Sequence, residues 1–278
     1  MNEPNRLRWL GKLKSSLEAI TFLVFRKLGK TLQPHLRVGK GDVAPYVLLP
    51  GDPKRVSLMC ELLDDYRQVA DYRQYITVTG TYRGIPVSVT STGIGCPAVA
   101  IAVEELRSVG AEVLIRVGTT GAIQPNIRRT DIVIPVAAAR YDGTSINYAP
   151  LQFPAVADWS VLNALVTNAR RSGARFHVGV VWTSDAFYAE GRQLLEKLAE
   201  LNVKSVEMEC STLFTLSSLR STKSGAVLSV DGNLVLGTKK SAQPSTQKPT
   251  EFSREMVRSI KESTRIALNA VAQLAEGE

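Results

Sequence analysis

Histidine is almost missing from this 278-residue chain. Only His35 and His177 occur, which argues against any mechanism that needs a pair of imidazoles. Cysteine is nearly as scarce: Cys60, Cys96 and Cys210 are odd in number, far apart and outside any CxxC spacing. Neither a disulfide framework nor a zinc cage is expected, no metal site is assigned, and a reducing, cytoplasmic compartment suits the composition. No run of 18 apolar residues exists, so no membrane span is expected. Twenty Gly and 13 Pro are too few for a collagenous or low-complexity polymer. At 44% hydrophobic and 22% charged residues, the chain has the make-up of a globular protein long enough for one large α/β domain or two.

Positive charge is in excess, at a formal +8, but it is unevenly placed. Residues 1–40 carry nine Lys/Arg against Glu3 and Glu18, a net +7, which leaves +1 for the other 238 residues. The basic character therefore belongs to an N-terminal arm, and nucleic-acid binding by the whole chain loses its support. Residues 1–34 read as an extension. Leu10, Leu13, Leu17, Ile20, Val24 and Leu28 recur at steps of three and four, one face of a helix, with basic residues on either side. Such a helix docks on its own protein or a neighbouring subunit, or lies on a membrane surface; a basic arm that binds nucleic acid is a further alternative.

From residue 46 onward, short apolar runs alternate with helical patterns. Strands are expected at 46–50, 76–82, 85–91, 113–118, 132–137, 176–183 and 226–230. Helices are expected at 54–65, 99–109, 161–171, 194–201, 210–219 and 256–274, with a polar loop at 239–250. This alternation predicts a single α/β domain over 35–278 with a central mixed, mostly parallel sheet flanked by helices.

Ligands of such sheets collect at the carboxyl ends of strands, so the residues after each strand matter most. Gly51-Asp52-Pro53-Lys54-Arg55 combines a close backbone approach, a helix start and a guanidinium, the makings of an anion site. Gly93-x-Gly95-x-x-Ala98 matches a dinucleotide fingerprint in form. The acidic residue that should follow at the end of the next strand is replaced by Arg116 and Gly118, which argues against a nicotinamide cofactor. Arg116-Val117-Gly118-Thr119-Thr120 puts a guanidinium inside an apolar strand, costly unless it meets an anion or a carboxylate partner. Glu207-Met208-Glu209 offers two carboxylates expected to point to opposite sides, one of them suited to vicinal hydroxyls. Cations and hydroxyl donors at three strand ends, with acids at a fourth, suggest phosphate plus a ribose-like polyol.

These motifs resemble the nucleoside phosphorylases of the uridine phosphorylase and hexameric purine nucleoside phosphorylase type. The likeness runs from about His35 to the C-terminus. The segments at 51–55, 91–95, 116–125 and 206–209 stand in the family's order, and Ala149-Pro150-Leu151-Gln152-Phe153-Pro154 is similar to the uridine phosphorylases in particular. The resemblance implies phosphate-dependent cleavage of uridine to uracil and ribose 1-phosphate, with purine nucleosides or methylthioadenosine as alternative substrates. Phosphate is then a co-substrate and no cofactor is implied. Gly51, Arg55, Arg116 and Thr119 would bind phosphate, with Arg73 reaching the site of a neighbouring subunit. Glu209 would hold the ribose 2′- and 3′-hydroxyls, Met208 would pack under the sugar beside Glu207, and His35 would cross to the 5′-hydroxyl. Arg116, Glu209 and Arg55 carry the catalytic effect. A site completed by two subunits implies at least a dimer, and the family form is a hexamer.

The base end departs from the family. Phe187 would stack on the base near Thr120 and Gly121, but the Gln and Arg that read uracil are not in register. Arg192 and Gln193 are the substitutes at hand, while Asp231 lies about one position from the acid of purine-cleaving members. Gln74 and Ala98 stand where bacterial uridine phosphorylases place a Glu and a Ser for a monovalent cation, so no such ion is expected.

Overall fold

The computed structural model describes residues 31–189, 191–238 and 253–277. The apolar stripe of residues 10–28 and the polar stretch 239–250 lie outside them. Ten strands join in one mixed sheet. Its centre is a parallel set in which β4 (Ile85–Thr90), β1 (Tyr46–Leu49), β5 (Val113–Ala122) and β10 (Lys223–Asn233) lie side by side. An antiparallel hairpin of β2 (Asp65–Tyr72) and β3 (Tyr75–Tyr82) extends it beyond β4. On the other side, β10 pairs with β6 (Ile132–Tyr141), β6 with β8 (Phe176–Ser184), β8 with β9 (Ser205–Glu207), and β9 returns to β5. The short β7 (Ala155–Val156) borders β6. The strands β5, β10, β6, β8 and β9 thus close into a ring, which leaves no free edge at this end of the sheet.

Alternation along the central strands sorts side chains into two layers. Val47, Leu49, Leu114, Ala226 and Leu228 face one core with α2 (Cys96–Ser108) and α5 (Cys210–Leu219). Leu48, Ile115, Val117 and Val227 face the other, with α1 (Lys54–Cys60), α3 (Trp159–Ser172) and α6 (Arg254–Ala275). Each fully buried Leu, Ile or Phe here contributes roughly 1.5–3 kcal/mol through removal from water. The remaining helix, α4 (Arg192–Glu200), packs Leu198 with Ile123 and Val206 in a small third cluster.

Two differences from the sequence expectation have local causes. The helix expected over 54–65 stops at Cys60, and the chain re-enters the sheet as β2. That strand reads DYRQVADY and buries only Ala70 fully, so an exposed outer strand carries no apolar period to reveal it. Several strands also outrun their apolar cores: β5 continues to Ala122, β6 to Tyr141 and β10 to Asn233. Their ends bring in Thr, Gly, Arg, Asp and Asn, which interrupt the apolar run even though Ala122 stays in the core.

Candidate active site

A cavity of about 730 Å³ opens where β1, β4, β5 and β10 end, and β9 turns back along β5 to close one side. Gly51 and Arg55 enter from the turn after β1 and the first turn of α1. A Cβ on Gly51 would lie 3.1 Å from the Gly93 carbonyl and 3.9 Å from the Arg116 guanidinium. Glycine is therefore what lets this turn pack against the Gly93 backbone, while the distance to Arg116 would be an ordinary contact. Thr119, Thr120 and Gly121 come from the end of β5. Arg55 Nη2 donates to Thr119 Oγ1 at 3.3 Å, and burial pulls the Arg55 guanidinium below its usual value, partly offset by the charges of Asp52 and Asp231.

Arg116 forms the floor and is 4% exposed. Its Nη2 donates to Glu209, and its Nε lies 3.6 Å from Glu207 Oε2. Burial alone would lower its pKa, but Glu209 and Glu207 hold it above the ordinary value, so the group stays a cation. The carboxylate partner foreseen as one outcome for a buried Arg is therefore present. Its Nη1 is nonetheless buried with no hydrogen-bond partner among the described residues. A buried donor of this kind is costly unless an acceptor meets it, and the cavity it borders is also lined by Gly51, Arg55 and Thr119, groups able to meet an anion.

Glu207 and Glu209 do not point to opposite sides, as two carboxylates one residue apart in a strand would. The strand ends at Glu207, and Glu209 already has φ −146° and ψ −23° ahead of α5, so both carboxylates converge on Arg116. Glu207 accepts from Thr183 Oγ1 and from the backbone N–H groups of Glu209 and Cys210 at 2.8–3.0 Å. Burial and the neighbouring Glu209 push its pKa up, against the pull of Arg116. The glycine-rich turn after β4 serves this end too. Gly95, at φ 93°, donates its N–H to Glu209 Oε1 at 2.7 Å, so the segment with the dinucleotide-like spacing orients a carboxylate.

Met208 lines the wall beside these acids, and Phe187 and Tyr188 close the opposite end, their rings in edge contact with centroids 5.0 Å apart. Asp231 reaches the cavity through a β-bulge. Val230 pairs with Thr120 and Gly232 with Gly121, leaving Asp231 as the extra residue; bulges re-aim side chains in this way beside active sites. Cys96 and Cys210 lie close by, but burial pushes both thiols well up, which leaves them inert as nucleophiles at neutral pH.

Four of the residues singled out in the sequence do not line the cavity of the single chain. His35 is bound through its backbone N–H and Nδ1 to Glu105. Arg73, in a left-handed conformation at φ 57°, stacks over Tyr72. Arg192 pairs with Glu196 one turn along α4 with its side chain 89% exposed, and Gln193 beside it is exposed. A helix start at Gly191 points that turn outward, so neither Arg192 nor Gln193 meets the base end here. The cavity adds Gln74, Ile94 and Tyr188 to its lining. Gln74, named in the sequence only at the position of a cation-site Glu, packs against Gly93, where φ is 78° and a Cβ would sit 2.7 Å from Gln74 Cγ.

Comparison with known proteins agrees with this geometry. The pattern of the Phosphorylase superfamily matches residues 45–272. A guanosine phosphorylase of Halorubrum lacusprofundi is 41% identical over 87% of this chain and 99% of its own length. A uridine phosphorylase of Thermococcus kodakarensis is 45% identical over 73% of this chain and 78% of its own. The crystal structure of uridine phosphorylase from Vibrio fischeri superposes with a TM-score of 0.80 at 30% identity, covering 87% of this chain and 98% of that one. With a buried arginine, paired carboxylates and a glycine turn all in one cavity of this shared fold, the chain belongs to the phosphorylase superfamily of pentosyltransferases.

Proposed function

We propose that the protein cleaves the N-glycosidic bond of uridine with inorganic phosphate, giving uracil and ribose 1-phosphate. The observation that carries this reading is the Arg116 guanidinium, which is bound to Glu209 and keeps a buried N–H without a partner among the described residues, in a cavity that Gly51, Arg55 and Thr119 also line. Phosphate at that end lies beneath a pentose held by Glu209. A phosphate oxygen attacks the anomeric carbon as the bond to the base nitrogen breaks, and the bonding pair leaves with the base. Holding both reactants in line replaces a bimolecular encounter. The phosphate and Glu209 charges stabilise the oxocarbenium-like sugar. Arg73 and His35 would complete the site of a second copy in a dimer, itself the unit of a hexamer, in the cytoplasm. Their outward placement and the left-handed strain at Arg73 suit such a role.

The test is base release from uridine, thymidine, inosine, guanosine, adenosine and methylthioadenosine, with and without phosphate. Phosphate is expected to accelerate release by about a hundredfold or more, well inside the range that orientation supplies. Release at the same rate in phosphate-free buffer would instead mark a nucleosidase.

A purine nucleoside is the second reading, favoured by the Asp231 bulge and by the absence of Arg192 and Gln193 from the base end. A carboxyl group there can hydrogen-bond a purine ring nitrogen as negative charge develops on the base. Asp231→Asn is then expected to lower kcat/KM for guanosine by about tenfold or more, the worth of one charge-assisted hydrogen bond, and to leave uridine within about threefold. An equal loss on both substrates assigns Asp231 to the support of Arg55 instead.

A further inference from the structure

We propose that Asp142, at the carboxyl end of β6 and outside the cavity lining, is a positioning residue for the sugar-binding carboxylates Glu207 and Glu209; this rests on the phosphorylase reading above. Asp142 is 4% exposed and accepts five hydrogen bonds. Two come from the backbone N–H groups of Thr144 and Ser145, at 3.0 and 2.6 Å, and a third from Ser145 Oγ at 2.8 Å. Those three would be enough to fold the turn. The other two reach across the chain to the first turn of α5: Ser211 Oγ donates at 2.6 Å and Thr212 Oγ1 at 3.0 Å.

Beyond Ser211 these long-range bonds acquire a direction. The Ser211 N–H donates to Thr183 Oγ1 at 3.0 Å, so that hydroxyl has its own proton to give, and it gives it to Glu207 Oε1. Glu207 in turn accepts the N–H groups of Glu209 and Cys210. Asp142 fixes Ser211 through its hydroxyl, the Ser211 backbone N–H fixes the Thr183 hydroxyl, and that hydroxyl, with one donor and one acceptor in place, holds Glu207. The turn itself is rigid. Arg140 donates to Ser145 Oγ at 2.9 Å and to the carbonyls of Ala149 and Pro150 at 2.8 and 2.7 Å, while Gly143 N–H donates to Asp185 Oδ2 at 2.8 Å. One turn thus ties the acid pair to the loop that carries Phe187. Hydrogen bonds to the Asp142 carboxylate outweigh its burial and hold its pKa below the ordinary value, so it accepts from every donor at neutral pH.

The experiment compares the ribonucleoside that the wild type cleaves best with its 2′-deoxy analogue, because Glu209 acts on the 2′- and 3′-hydroxyls. Asp142→Asn cannot accept at both oxygens and is expected to cut kcat/KM for the ribonucleoside by about tenfold to a hundredfold, as loss of one or two hydrogen bonds to a charged group does. The deoxy analogue falls by less than about threefold, so the ribo-to-deoxy preference collapses, with KM for phosphate unchanged. Ser211→Ala shifts the same ratio in the same direction, and the double variant adds little to Asp142→Asn, since the two act as one unit. Should Asp142→Asn fail to fold, Ser211→Ala and Thr212→Val decide the matter alone. A preference that stays at the wild-type value, or an equal loss on both substrates, overturns the proposal and leaves Asp142 a loop anchor. A wild-type enzyme with no phosphate-dependent cleavage of any nucleoside overturns the underlying reading, before any variant is made.

Discussion

Arg116→Ala is expected to lower kcat/KM for phosphorolysis by about a thousandfold or more, the scale of removing a preorganised charged donor from a water-poor site. Among the described residues it is the cavity group bonded to the carboxylate end that also offers a buried N–H to the anion end. Its loss uncouples the two reactants and leaves Glu207 and Glu209 facing one another. Breaking a buried ion pair from one side costs about 3–5 kcal/mol of stability, so folding must be followed alongside activity. Arg116→Lys separates the two effects. It returns the charge without the planar fork and is expected to restore most of the lost Tm but little of the turnover. Phosphate is expected to raise the Tm of the wild type through mass action on the folded state and to do so far less in either variant. Turnover of Arg116→Ala within about threefold of wild type would falsify the phosphorylase mechanism.

For Glu209 the expected loss is about a hundredfold to a thousandfold in kcat on ribonucleosides, measured with Glu209→Gln. The amide keeps the shape and can still accept from the Gly95 N–H. It cannot carry negative charge, so under the proposed mechanism the cationic sugar would lose the counter-charge of Glu209. It also frees Arg116 from one of its two carboxylates. The readout that distinguishes this from general loosening is KM for phosphate. Arg116 no longer divided between Glu209 and the anion is expected to bind phosphate at least as tightly, so KM for phosphate stays level or falls while kcat drops. A rise in KM for phosphate together with unchanged kcat contradicts the assignment of Glu209 to the sugar.

Much of the charged lining of the cavity was legible in one dimension because buried charge is rare. An Arg inside the run 113–118 and two Glu at the start of a helix stand out against apolar surroundings, and their partners had to be close by. Gly51 was visible because close backbone approach to Gly93 leaves little room for a Cβ, and Gly95 because a φ of 93° favours glycine. The direction of the carboxylates was not visible. Strand alternation predicted divergence, but the strand stops at Glu207 and the backbone rotates before α5. The place of Gln74 in the cavity lining was hidden because the β2–β3 turn that carries it has no pattern pointing to a cavity, and β2 was hidden because an exposed strand has no apolar period.

The base end shows the same division. Phe187 could be placed from sequence order; Asp231 could be placed only by the extra residue in β10, and a bulge leaves no mark in composition or spacing. Arg192 and Gln193 sit in the expected stretch, yet the helix start at Gly191 turns them to solvent.

By itself, then, the sequence determined the α/β class, the central parallel strands and which charged residues stand buried at the strand ends, because period-two apolar runs and isolated buried charges are local patterns. Tertiary structure alone decided the closure of β5, β10, β6, β8 and β9 into a ring, the meeting of Glu207 and Glu209 on Arg116, and the relay from Asp142. These depend on residues from 24 to 93 positions apart, and only packing of the whole sheet sets such distances to within a hydrogen bond.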